Sequence, residues 1–128
     1  MDGVPTDPTN EALVLEFCRA WSRLDVDELL GWFTDDAVYH NMPMPPAEGR
    51  DEVRGVLELF VPGAESIEFE VHHIVAVGDL VFTERTDHFL TAGKAVALPV
   101  AGVFELRNGK IAAWRDYFDL QSFLAQSG

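Results

Sequence analysis

The dipeptide Asn108-Gly109, set between the apolar runs AVALPVAGVFEL and KIAAWRDYFDL, constrains the fold more than any other feature of this chain. Both central residues of a type I′ turn need positive φ, which Asn and Gly tolerate best, so the pair specifies a tight antiparallel hairpin. Ala92-Gly93 marks a second turn, between LVFTERTDHFL and AVALPVAGVFEL, and Gly78-Asp79 a third. Upstream, Ile67, Phe69 and Val71 alternate with Glu68, Glu70 and His72, the period-two pattern of a half-buried strand. Everything after Gly63 therefore reads as an antiparallel meander, ended by a helical turn at QSFLAQ.

The N-terminal half has a different period. Leu13, Val14, Phe17, Cys18, Trp21 and Leu24 recur at three- and four-residue steps, which predicts one amphipathic helix from about Asn10 to Leu24. Asp25, followed three residues later by Glu28, opens a second helix, DVDELLGWF. AVYHNM is a short strand halted by PMPP, where proline removes backbone donors. Arg50 and Asp51 begin a third helix over residues 51–61 that Pro62 and Gly63 terminate. Helices gathered on one side of a mostly antiparallel sheet make an α+β protein, and a curved sheet wrapped on a helix leaves a cone-shaped apolar pocket. Residues 1–128 read as a single domain, with residues 1–8 a flexible leader.

Charge narrows the partners. With 22 acidic against 9 basic residues the formal charge is −13, so phosphate backbones and anionic lipid are repelled. Neither nucleic acid nor a membrane is expected as a partner, and a small neutral or cationic ligand stays open. Cys18 stands alone in an apolar helical pattern, without a disulfide partner or metal-ligand spacing. It reads as a buried structural thiol, and the chain as cytoplasmic.

The chemistry-bearing residues sit on strands, where positions two apart share a face. One face of LVFTERTDHFL carries Val81, Thr83, Arg85, Asp87 and Phe89; the other carries Leu80, Phe82, Glu84, Thr86, His88 and Leu90. Both are mixed, so the pattern does not say which points inward. Trp114, Asp116 and Phe118 share a face in the last strand, as Tyr39 and Asn41 do in AVYHN. Converging, these faces would bring two carboxylates, a guanidinium, a phenol and an amide into an apolar pocket.

Register tests that convergence. Ideal two-residue turns would pair Arg85 with Val100 and Asp116 with Ala101, which point to opposite faces. One extra residue must be absorbed, and a bulge at 99–102, at Gly102 or beside Pro99, is the expected place, its absence there weighing against the site. Gly93 and Gly109 are turn residues. His72 and His73 are adjacent, hence expected on opposite faces and unable to share a metal; His40 and His88 are isolated. Asp119 is expected to be structural.

The segments YHNMPMPPAEGRDEV, VFTERTDHF with GVFEL, and NGKIAAWRDYFDL resemble the limonene-1,2-epoxide hydrolase family, in matching order from about Trp32 to Phe123. The resemblance implies a cystatin-like (NTF2-like) fold with a curved mixed sheet over helices and a deep apolar pocket, and a homodimer. It implies Asp116 as general base toward water, Asp87 as the acid that protonates the epoxide oxygen, Arg85 bridging the two carboxylates, and Tyr39 with Asn41 holding the water. The substrate implied is a small apolar epoxide, with no metal and no cofactor. Phe89, Leu98, Val100, Trp114 and Phe118 are the expected pocket wall. Two other functions compete on this cone: a proton-shuttling enzyme of the ketosteroid-isomerase or polyketide-cyclase kind, and a non-catalytic small-molecule-binding or dimer-assembly module.

Overall fold

The computed structural model describes residues 8–128, so most of the expected leader lies outside the described residues; Pro8 already opens the first helix. Helix α1 (Pro8–Ala20) runs into a single 3₁₀ turn, Trp21–Arg23, and stops at Leu24, whose φ of 54° reverses the chain. Helix α2 (Val26–Leu30) is capped as expected, the Asp25 carboxylate accepting from the Glu28 amide. It is shorter than predicted: Gly31 and Trp32 form a turn, and strand β1 (Phe33–Asn41) begins four residues before Ala37. A two-residue strand, β2 (Ala47–Glu48), follows the proline loop and has no signal in the sequence. Then come α3 (Arg50–Phe60), β3 (Ser66–Val77), β4 (Leu80–Thr91), β5 (Lys94–Arg107), β6 (Lys110–Tyr117) and α4 (Leu120–Ser127).

The sheet order is β2-β1-β6-β5-β4-β3. Only β1 and β6 run parallel; the other pairs are antiparallel, giving the mixed α+β sheet expected. Both turns have positive φ at their two central residues: Asn108 and Gly109 at 52° and 76°, as those residue types favour, and Ala92 and Gly93 at 53° and 79°, where the hairpin holds Ala92 in a region that alanine rarely adopts. The inner face of the sheet packs on α1, and Val14, Phe17, Cys18 and Trp21 join Phe33, Val81, Phe104, Ile111 and Trp114 in one core. Phe17 meets five aromatic rings edge-on: Trp21, Trp32, Phe33, Phe104 and Trp114. This helix side chain fills the closed end of the cone.

Two bulges differ from expectation. The β4–β5 register runs unbroken from Thr91↔Lys94 to Leu80↔Glu105, so no bulge lies at 99–102. The extra residue is instead Ala112 in β6, since Leu106 pairs with Ile111 but Glu105 with Ala113. It does what convergence demanded: Asp116 now faces Gly102, two residues from Val100, which faces Arg85. The second bulge is His72, which lies between Val71↔Arg85 and His73↔Glu84. It shifts the inward phase from Phe69 and Val71 to Ile74 and Ala76, and it leaves His72 and His73 both on the exposed face. There His72 Nε2 meets Thr86 Oγ1 at 2.7 Å and His73 Nδ1 meets Glu84 Oε1 at 2.8 Å. The opposite-face reading of these histidines was therefore wrong.

Candidate active site

Cross-strand pairing builds the site in rows. Asn41, Asp116, Gly102 and Thr83 lie side by side across β1, β6, β5 and β4. The next row toward the closed end is Tyr39, Trp114, Phe104 and Val81, all buried. Gly102 is what lets the polar row close. A Cβ there would lie 2.5 Å from Arg85 Nη1, 2.6 Å from Asp116 Oδ1 and 2.9 Å from Thr83 Oγ1. The absent side chain is the space through which the guanidinium crosses β5 to reach β6. The strand-interior glycine thus marks a close approach and not the bulge expected there.

Arg85 sits between the two carboxylates. Its Nε and Nη2 donate to Asp87 Oδ1 and Oδ2 at 2.9 and 2.8 Å. Its Nη2 and Nη1 donate to Asp116 Oδ2 and Oδ1 at 2.7 and 3.2 Å. Both contacts are two-pronged, the geometry that fixes a carboxylate plane as well as its distance. Nη1 also donates to Thr83 Oγ1 at 3.0 Å, and Trp114 Nε1 donates to Asp116 Oδ1 at 2.6 Å. Arg85, Asp87 and Asp116 are only 1%, 3% and 3% exposed. The guanidinium carbon lies 4.8 Å from the Phe69 ring centre, so an aromatic face covers the side that no carboxylate occupies.

One cation buried with two carboxylates decides the proton count. Burial opposes charge on Arg85, but Asp116 and Asp87 outweigh it and hold the guanidinium charged, well above its ordinary pKa. One cation compensates one carboxylate in full, which favours the neutral form of the other. Burial, moderated by Arg85 and reinforced by Asp116, pushes Asp87 up to about 6. Tyr39 is raised as well, by burial first and the Asp116 charge second, so its phenol keeps its proton. Cys18 is buried beneath, its thiol pushed up to about 12 by desolvation, which makes it no nucleophile.

Above the triad lies a narrow cavity of about 30 Å³, bordered by Tyr39, Asn41, Asp87 and Asp116. Phe89, Leu98, Val100 and Phe118 also line it. Trp114 does not. It lies behind Tyr39, stacked at 4.2 Å with 3° between the planes, and on its other side meets Phe104 at 5.2 Å. Its role is to brace the phenol and bond Asp116. The remaining wall, Trp21, Phe60, Phe69, Met44 and Phe123, includes side chains from α1's extension, α3 and α4 that strand periodicity could not reveal. Trp21 is notable, because its indole Nε1 is a buried donor without a partner among the described residues. Asp119 caps α4 through the Gln121 amide, a structural role. Among the described residues no three His, Cys, Asp or Glu side chains are grouped to hold a metal ion, and no helix is long and apolar enough to cross a membrane.

A curved mixed sheet closing over helices around a buried guanidinium and two carboxylates defines the class: an NTF2-like cone with an internal polar site. Residues 8–127 match the family model described as the limonene-1,2-epoxide hydrolase catalytic domain. The chain is 36% identical over 104 residues to epoxide hydrolase EphG of Mycobacterium tuberculosis, covering 81% of this chain and 69% of that protein. A solved LEH-like epoxide hydrolase of M. tuberculosis superimposes with a TM-score of 0.81 at 31% identity, covering 94% of this chain and 92% of that one. A SnoaL-like protein of Shewanella putrefaciens superimposes with a TM-score of 0.84 at 20% identity, over 94% and 97% of the two chains, and shares the fold alone. The chain belongs to the limonene-1,2-epoxide hydrolase family and is thus an enzyme of the epoxide hydrolase class.

Proposed function

We propose that the chain adds water to an apolar epoxide in one step, giving a vicinal diol, with Asp116 as base and Asp87 as acid. The observation that carries this reading is the single guanidinium bridging two buried carboxylates beside a cavity that Tyr39 and Asn41 border. Epoxide opening needs one ionised and one neutral carboxyl together, and an Arg-compensated pair with one raised pKa supplies both. Asp116 takes a proton from water as the water oxygen attacks one oxirane carbon. The C–O bond breaks, and its electron pair takes the proton of Asp87, leaving a hydroxyl. Asp116 then holds a proton and Asp87 is ionised, so one proton returns across the pair before the next turnover. Tyr39 and Asn41 hold the attacking water, which removes the entropy of finding it. Arg85 fixes both carboxylates through the exchange of charge.

The test is diol formation from cyclic and terminal epoxides by purified protein in EDTA. Diol abolished by Asp116→Asn and by Asp87→Asn, each variant retaining wild-type circular dichroism, is the expected result. Full activity in either variant would remove that residue from its role. The same reading places a cytoplasmic homodimer, each copy carrying its own site. Val75, Val77, Leu80, Phe82 and Tyr117 on the outer sheet surface are 37–45% exposed and offer an apolar face for the second copy.

A further inference from the structure

The inner cavity cannot hold a whole substrate. Its volume of about 30 Å³ is roughly one water's share of liquid, whereas ligand sites commonly run from about 300 to 1,000 Å³. A second cavity of about 390 Å³ lies next to it, and Phe60, Phe89 and Phe123 line both. These rings come from α3, β4 and α4, and their centres are 6.1, 6.4 and 6.5 Å apart in mutual contact. They form an aromatic partition between a small polar-floored chamber and a larger outer one. Leu59, Ala92 and Val96 contribute to the outer wall, with Thr91, Lys94 and Ser127 as its polar members. The Lys94 ammonium donates to the Gly128 backbone oxygen at 2.5 Å, and among the described residues no acidic side chain lines the chamber.

We infer that the substrate is an elongated, uncharged epoxide: its oxirane passes the partition into the inner cavity, and its hydrocarbon chain lies in the outer chamber. Phe60, Phe89 and Phe123 are then the specificity-determining residues. Phe123 is the wall that yields most readily. Its helix α4 has no fully buried residue and is held to β5 by the two-way bond between the Gln126 amide and the Ala97 backbone, the Lys94–Gly128 contact and the packing of Phe123 on the cluster of Val96, Leu98 and Val100. A chain entering between the rings keeps apolar contact throughout, while a broad, branched body would have to displace all three.

This inference rests on the hydrolase reading, and the experiment separates the two. Diol formation is followed across the terminal series from 1,2-epoxybutane to 1,2-epoxydecane. The expected result is kcat/KM rising about two- to fourfold per added methylene until the chamber is filled. Val96→Phe and Thr91→Trp narrow the outer chamber from two sides, Thr91 being an exposed residue at the end of a hairpin. Each should cut the decane-to-butane ratio of kcat/KM at least tenfold. A flat or falling series in the wild type, or an unchanged ratio in both variants, overturns the inference while leaving the hydrolase intact. No diol from any member sinks the hydrolase reading instead. The chamber is then tested by calorimetry with the 1,2-alkanediols: affinity rising with chain length supports it, and affinity independent of length overturns it.

Discussion

The two faces of β4 carry the same kinds of side chain and do different work. Inward, Thr83, Arg85 and Asp87 join Asp116 in a dry network, with the Arg85 and Asp87 side chains 0% and 5% exposed. Outward, His88 meets Glu70 at 2.9 Å with side chains 40% and 53% exposed, and His73 meets Glu84. The outer pairs are solvated and screened, so each contributes little. The inner group is buried from bulk solvent, so its charge balance is set chiefly by its neighbours. On the proposed reading, burial is what turns this salt bridge into an acid and a base.

That contrast predicts a graded set of effects. The largest comes from the carboxylates: Asp116→Asn or Asp87→Asn should lower kcat by about 10²–10⁴-fold, measured by diol formation, with melting temperature nearly unchanged. Next is Gly102→Ala, whose methyl would displace Arg85, Asp116 and Thr83 together. It should destabilise by about 1–3 kcal/mol and lower kcat/KM by about 10²-fold, read by thermal melts and steady-state kinetics. Wild-type stability and activity in Gly102→Ala would break the comparison.

The pH dependence has opposite signs on the two faces. Asp87 is raised to about 6, so its acid role fails as pH rises: kcat/KM should fall tenfold per pH unit above that value. Because the fold favours its neutral form, its contribution to stability is full below the ordinary carboxyl value of 3.8 and is lost as pH rises through about 6. Glu70, held down by its hydrogen bond to His88, has the reverse sign: its contribution is present above its ordinary value and lost as pH falls. A kcat/KM profile with no basic limb near neutrality would contradict the acid assigned to Asp87. Thr83→Val, which removes one hydrogen bond to Nη1, should cost about three- to tenfold in kcat/KM. Smallest of all, Glu84→Gln and His88→Gln should keep kcat/KM within about twofold and melting temperature within about 2 °C.

Much of this was readable in advance where a local rule governs. Asn108-Gly109 and Ala92-Gly93 named their hairpins because only positive φ closes a two-residue turn. Two-residue spacing grouped Thr83, Arg85 and Asp87 on one face, and turn arithmetic showed that one residue had to be absorbed. Where it was absorbed was not legible. Gly102 looked like a bulge, yet its missing side chain admits the guanidinium, while Ala112, an ordinary residue in composition, carries the bulge. The bulge at His72 could have been seen in the shift of apolar phase from Phe69 and Val71 to Ile74 and Ala76. Trp21, Phe60 and Phe123 became cavity walls only through the docking of helices on the sheet, which no strand period encodes. The short β2 and the early start of β1 likewise depend on neighbours distant in sequence.

Water activation by Asp116, rather than attack by a carboxylate on the epoxide, is the claim on which the account turns. A single turnover with enzyme in excess over epoxide in H₂¹⁸O tests it directly by mass spectrometry of the first diol formed. The account predicts one ¹⁸O in that diol and none in the protein. A first-turnover diol carrying only ¹⁶O, with the label then appearing in Asp87 or Asp116, would show a covalent ester and contradict it.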